Sequence, residues 1–132
     1  MRTVRITGID ANPMSRVFTN DVGTWNVEKA LRDCAASKHK LYMLDVGPAI
    51  EANRSVETDP GRIEMFKSSP HLTLPLLVVM TSDKRGWLID GHHRLRAMHA
   101  LGIPTFAAYI IEAKDEPTYR ILFNGKPVLK RR

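Results

Sequence analysis

Residues 74–111 read LPLLVVMTSDKRGWLIDGHHRLRAMHALGIPTFAAYII, and this stretch decides the fold. Leu74 to Met80 is a nearly uninterrupted apolar run, broken by Pro75 and bounded by polar residues, which suits a strand buried on both faces. A turn at 82–86 leads into a second short strand, Trp87-Leu88-Ile89, that ends at Asp90-Gly91. A helix follows from His92 or His93 to Leu101, with Gly102 as its left-handed terminator and Pro104 just beyond. Thr105 to Ile111 is another strand. Strands and helices in this order predict an α/β (α+β) domain with a mixed sheet.

Working outward, Leu41 to Val46 reads as a short strand followed by a Gly-Pro break. Asp59 caps a helix whose first residue is Pro60 and which ends near Ser69-Pro70. Asn26 caps an earlier helix, Val27 to Ala36, with Val27, Ala30, Leu31 and Cys34 on one apolar stripe. Cys34 is thereby a small core hydrophobe. Residues 11–24, rich in Asn, Pro, Ser, Thr and Gly, read as a loop, and Val4, Ile6 and Ile9 give residues 1–10 the alternation of a strand. Near the C-terminus an Asn124-Gly125 pair between apolar runs signals a hairpin, and Lys130-Arg131-Arg132 is a solvated tail.

The 132 residues predict one domain over 1–132, with its core at 41–111 and the hairpin and basic tail at 117–132. With 43% hydrophobic and 26% charged residues the chain has the composition of a globular protein, which excludes collagenous and disordered classes. Its apolar runs fall short of the roughly 18 residues that span a bilayer, and the first residues lack a secretory pattern, so no membrane partner and a cytoplasmic location are expected. A lone cysteine leaves no intrachain disulfide or thiolate cage. The net charge of +6 is uneven: residues 1–40 carry +3, 41–83 carry −3 and 84–132 carry +6. Such an excess favours phosphate-bearing partners, nucleotide or nucleic acid.

The chemistry concentrates at Asp90-Gly91-His92-His93-Arg94. A strand that turns on glycine into a helix leaves unpaired amides and a positive dipole end, a place for an anion. Arg94 offers forked donors suited to phosphate, while His92 and His93 add further donors. Asp90 is positioned to hold a metal ion or to orient a ribose or a histidine. A dedicated metal site is not expected, because His92 and His93 point about 100° apart and no i, i+4 histidine pair exists. No nucleophile elbow or catalytic-cysteine signature is present.

IDGHHRLRAMHALGIPTFAAYII, with the preceding strand, resembles the core of the ParB/sulfiredoxin superfamily, whose members bind nucleotide phosphates at a strand–Gly-x-x-Arg–helix turn. The likeness covers roughly residues 41–111. Sulfiredoxins carry a catalytic cysteine where this chain has His92, so the resemblance does not imply sulfinic-acid reduction. Partition-type ParB proteins have Gly-Glu-Arg-Arg, of which only Gly91 and Arg94 match. They continue into a helix-turn-helix, whereas a hairpin and tail are expected here after Ile111, so sequence-specific DNA reading is not. Free serine kinases and their relatives carry Asp-Gly-(His/Thr)-His-Arg, which matches Asp90 to Arg94, and a glutamate before an Asp-Pro-x-Arg helix, which matches Glu57.

The resemblance therefore implies a ParB/sulfiredoxin-like fold that binds ATP or CTP with Mg²⁺ through Asp90, Gly91, His92, His93 and Arg94. It implies Glu57 and His93 as catalytic residues. The expected function is Mg²⁺-dependent NTP or phosphodiester hydrolysis, as an ATPase or nuclease, with DNA bound without sequence preference. The alternatives are a phosphotransferase acting on a small hydroxyl substrate such as serine, and a non-catalytic binding or regulatory module.

Overall fold

The computed structural model describes residues 16–123 and 125–127. The strand expected in residues 1–10 and the basic tail at 130–132 lie outside them. Two short strands come first, β1 (Val17–Thr19) and β2 (Thr24–Asn26), then helix α1 (Val27–Ala35) and strand β3 (Lys40–Asp45). Helices α2 (Val46–Ala52) and α3 (Pro60–Phe66) precede strands β4 (Leu76–Met80) and β5 (Gly86–Asp90). Helix α4 (His92–Ala100) and strand β6 (Thr105–Ile111) complete the core, followed by a 3₁₀ turn (Glu116–Thr118) and the hairpin β7 (Leu122–Phe123)–β8 (Lys126–Pro127). Among the described residues this is a mixed α+β architecture with four helices.

The main sheet runs β3-β6-β4-β5, with β6 parallel to β4 and the other neighbours antiparallel, so it is mixed as expected. Side-chain alternation sends Leu77 and Val79 of β4 to one face and Leu76 to the other, all fully buried. Helix α1 covers the first face through Val27, Ala30 and Cys34, and α2 and α4 cover the second through Val46, Leu95, Ala97 and Met98. Each fully buried leucine stabilises the fold by roughly 1.5–3 kcal/mol over its exposed state.

Helix starts follow local chemistry. Asn26 accepts from the Lys29 amide at 2.9 Å, and Asp59 accepts from the Gly61 amide at 2.9 Å, as capping residues should. Helix α4 runs from His92 to Ala100, and Gly102 follows it at φ +75°.

Two expectations are corrected. The Gly47-Pro48 pair is not a break but lies in the first turn of α2, where proline lacks only an amide that had no partner to lose. The loop expected at 11–24 contains, from Arg16 onward, β1 and the turn into β2, with Phe18 opposite Trp25. The turn closes because the Asn20 side chain accepts from the amides of Val22 and Gly23, at 2.8 and 3.1 Å. Three-residue strands are too short to alternate, so the polar turn residues dominate the reading.

The chain beyond β6 braces this small hairpin. Glu116, buried, accepts from the Trp25 indole and from Arg120 Nε, each at 2.7 Å. Arg120 also donates to the Val22 carbonyl at 2.9 Å, and the Asn26 amide donates to the Tyr119 carbonyl at 2.8 Å. The Tyr119 hydroxyl donates to Asp33 on α1 at 2.6 Å, while His39 Nε2 stands 2.7 Å from it. A buried carboxylate satisfied by two donors is a strong tie, because breaking either contact leaves charge without solvent.

Cys34 is 2% exposed, and burial, reinforced by neighbouring Asp33, pushes its thiol up to about 11. The folded protein is expected to resist a thiol-specific disulfide reagent at pH 8 and to react fully in denaturant. Cys34→Ala should cost about 1–2 kcal/mol of stability by chemical denaturation and leave ligand binding unchanged.

Candidate functional site

Gly91 joins β5 to α4 at φ +103°, a backbone geometry that side chains rarely tolerate. A Cβ there would collide with Leu76 Cγ and lie 3.1 Å from its Cδ2, so the fully buried Leu76 of β4 holds the turn tightly against the sheet. Gly91 also provides no capping side chain. Helices α1 and α3 begin on a capping oxygen, while α2 and α4 begin without one; α4 alone of these two opens into a cleft. Its first-turn amides and the positive end of its dipole are left for another acceptor.

A cleft of about 640 Å³ opens at this end of α4. All six residues that the sequence singles out line it: Glu57, Asp90, Gly91, His92, His93 and Arg94. The structure adds residues that sequence reasoning gave no role, namely Arg16, Phe18, Val56, Arg62 and Phe66. Three arginines therefore meet two carboxylates around an uncapped helix start.

Their contacts differentiate them. Arg94 is largely buried, donating through Nη1 to the Leu74 carbonyl at 2.7 Å and through Nη2 to Asp90 Oδ2 at 3.2 Å. It therefore brings charge to the cleft more than a free fork, and burial is the main influence lowering its pKa. The other Asp90 oxygen, Oδ1, is taken by Arg16, so one carboxylate is shared between two guanidiniums. Glu57 is exposed at the rim and makes no ion pair among the described residues.

The two histidines have separate environments. His92 is buried, donates from Nε2 to the Leu88 carbonyl at 2.8 Å and stacks on Phe18 with ring centroids 5.1 Å apart. Its Nδ1 is buried without a hydrogen-bond partner, so His92 is a wall of the site before it is a donor. His93 Nε2 accepts from the Asp59 amide at 3.0 Å, which leaves Nδ1–H as the ring's donor. Burial lowers the pKa of both rings; nearby Arg62 adds to the effect at His93.

One turn further along α4, Arg96 donates to the carbonyls of Asn53 and Val56, at 2.8 and 3.0 Å. Together His93 and Arg96 pin both ends of the loop that carries Glu57. Glu57 is thus placed by α4 although it lies far from it in sequence.

A second chamber of about 370 Å³ shares Phe18 and Val56 with the cleft. Its lining includes Trp87, Asn20, Asn53 and Ser55, with the Arg85 guanidinium 4.4 Å over the Trp87 ring. Among the described residues no three His, Cys, Asp or Glu side chains gather as a metal cage, and no helix is long and apolar enough to cross a membrane.

The lowered histidine values have a pH consequence. Both rings sit below the ordinary value of 6.5 in the fold, so the unfolded chain binds more protons under that pH. Their contribution is complete above about pH 6.5 and is lost as pH falls through the folded-state values. Denaturation midpoints should therefore fall between pH 7.5 and about 5.5. His92→Gln, which can still donate to Leu88 but does not titrate, should flatten that slope.

No protein-family model, curated protein or solved structure matches this chain.

Proposed function

We propose that this chain is a nucleoside-triphosphate-binding domain of ParB/sulfiredoxin-like fold that cleaves a phosphate bond with Mg²⁺. The observation that carries the reading is the uncapped start of α4 at Gly91 within a cleft lined by Arg16, Arg62 and Arg94. Phosphate oxygens supply what the first-turn amides lack, and the arginines offset their charge. The adjoining chamber, with Trp87 on its wall, supports a nucleoside at the other end of the ligand. ATP and CTP both present a planar base to stack there.

In this reading Mg²⁺ would be bound mainly by the polyphosphate and would offset charge on the transferred phosphate. It retains most of its water and needs one or two carboxylates rather than a cage, so the lack of a three-residue cluster among the described residues is compatible with it. Glu57, the cleft carboxylate without an arginine partner, fits the role of general base. Its carboxylate takes a proton from water as the oxygen bonds to the γ-phosphorus, and the bond to the β-phosphate oxygen breaks with its electron pair leaving on the diphosphate. His93, through Nδ1–H, serves as a donor to the transferred phosphate. A small hydroxyl acceptor such as serine in place of water gives the transferase reading, which the exposed position of Glu57 equally suits. In the nuclease reading DNA is instead the substrate, its phosphodiester cleaved by water; its contacts would be to phosphates alone, and such affinity falls steeply with salt.

Binding is tested through tryptophan fluorescence. Trp25 is fully buried and tied to Glu116 but stacks on Phe18, which walls both chambers, so the Trp87 signal is taken as the part of the change lost in Trp87→Phe. ATP or CTP should quench it, and inorganic tripolyphosphate should not. Arg94→Ala is expected to weaken nucleotide binding by about 1.5–3 kcal/mol in calorimetry. Equal affinity in a folded Arg94→Ala protein removes the proposed site.

Glu57→Gln keeps the shape and removes the basicity. It should retain nucleotide affinity while phosphate release, or transfer to a hydroxyl acceptor, drops by about 10²-fold. Undiminished turnover would leave Glu57 an ordinary loop carboxylate.

A further inference from the structure

Arg16 enters the cleft from the chain before β1, and its pairing with Asp90 spans 74 residues of sequence. Its backbone is fixed, because the Arg16 carbonyl accepts from the amides of Val27 and Glu28 at 2.9 and 3.3 Å. Its side chain is not: the side chain is 57% exposed, against 12% for Arg94 and 13% for Asp90. Arg94 is held by a carbonyl as well as by Asp90, whereas the hydrogen bond described for the Arg16 side chain is the one to Asp90. Asp90 thus has one buried guanidinium with a second anchor and one exposed guanidinium whose described hydrogen bond is to Asp90 alone.

We infer that Asp90 is an internal stand-in for the ligand's anion, and that Arg16 passes from Asp90 to an incoming polyphosphate. The inference rests on the proposed phosphate cleft and gives that cleft a selectivity. In the empty site a carboxylate partly neutralises the cations, so a ligand must compete with it for Arg16. A monoanion has no more charge than Asp90 and gains little by the exchange. A di- or triphosphate has more charge and reaches the α4 amides at the same time. The site therefore selects polyphosphates over carboxylates and other monoanions, through the charge it already holds. Arg16 is the exposed partner and Arg94 stays on Asp90, so the nearly buried carboxylate keeps a counter-charge when Arg16 leaves.

Charge-removing variants give opposite signs. Asp90→Asn keeps an oxygen for Arg94 but releases Arg16, and should bind inorganic tripolyphosphate about 3-fold tighter in metal-free calorimetry. Arg16→Gln should bind it about 3-fold more weakly, and the gain from Asp90→Asn should shrink in the double variant because there is no Arg16 to release. The Arg16 Nε–H resonance, assigned by its loss in Arg16→Gln, should shift with tripolyphosphate and stay in place with acetate. That measurement uses the unaltered protein, so it stands even if Asp90→Asn does not fold.

Weaker tripolyphosphate binding by a folded Asp90→Asn protein would make Asp90 part of the ligand site and overturn the hand-over. Binding to the unaltered protein with an unmoved Arg16 resonance and an unaffected Arg16→Gln would also overturn it, while leaving the phosphate cleft intact. Failure of the unaltered protein to bind tripolyphosphate or any nucleotide would remove both.

Discussion

The missing Cβ at Gly91 is the constraint on which the site depends. Leu76 belongs to β4, buried on both faces, and packs directly on the turn, so the chain can leave β5 for α4 here only with a residue that has no side chain and accepts φ +103°. Once that turn is fixed, the direction of α4 is fixed. Its first residues put Arg94 against Leu74 and Asp90, His93 against the Asp59 amide, and Arg96 against the loop carbonyls at 53 and 56. One backbone conformation thus places the amides, the cation and the distant Glu57 together. The same absence of a side chain that permits the turn leaves the helix without a cap, so the tight packing and the open helix start have a common origin.

Electrostatics separates the two cleft carboxylates more than their chemistry does. Asp90 lies between two guanidiniums and is nearly buried, while Glu57 is exposed and unpaired among the described residues. Both oxygens of Asp90 are engaged, Oδ1 by Arg16 and Oδ2 by Arg94. Glu57 keeps its lone pairs for solvent and for whatever solvent or acceptor approaches. The division leaves Asp90 neutralised in the cleft wall and Glu57 open to solvent.

The sequence discloses the parts of this arrangement that are local. Strand β6 runs from Thr105 to Ile111 as the apolar run does, and the caps at Asn26 and Asp59 are in place, because each depends on neighbours within a few residues. Gly91 to Arg94 was legible for the same reason. Gly47-Pro48 misleads because proline breaks a helix interior but suits a first turn, and the sequence does not say which it occupies. Arg16, Phe18 and Arg62 could not be assigned to the cleft from spacing. Arg16 meets Asp90 across 74 positions, and Phe18 meets His92 across a similar gap, so only the packed sheet brings them together. The burial of His92 was hidden as well, since a residue at a helix start reads as exposed until something is stacked on it.

That stacking residue connects the site to the far end of the chain. Phe18 packs on His92 and on Trp25, and it is a wall of both chambers. Its strand is only three residues long and pairs with an equally short partner, so backbone hydrogen bonds alone hold it weakly. The bracing comes from Glu116, Tyr119 and Arg120, through the Trp25 indole, the Asn26 amide and the Val22 carbonyl. Disturbing the buried Glu116 frees Trp25 and Arg120 at once, and the hairpin that carries Phe18 and Arg16 loses its support. The segment after β6 therefore acts on the cleft without lining it, by supporting Arg16 and Phe18, two of the three residues that sequence spacing could not place there.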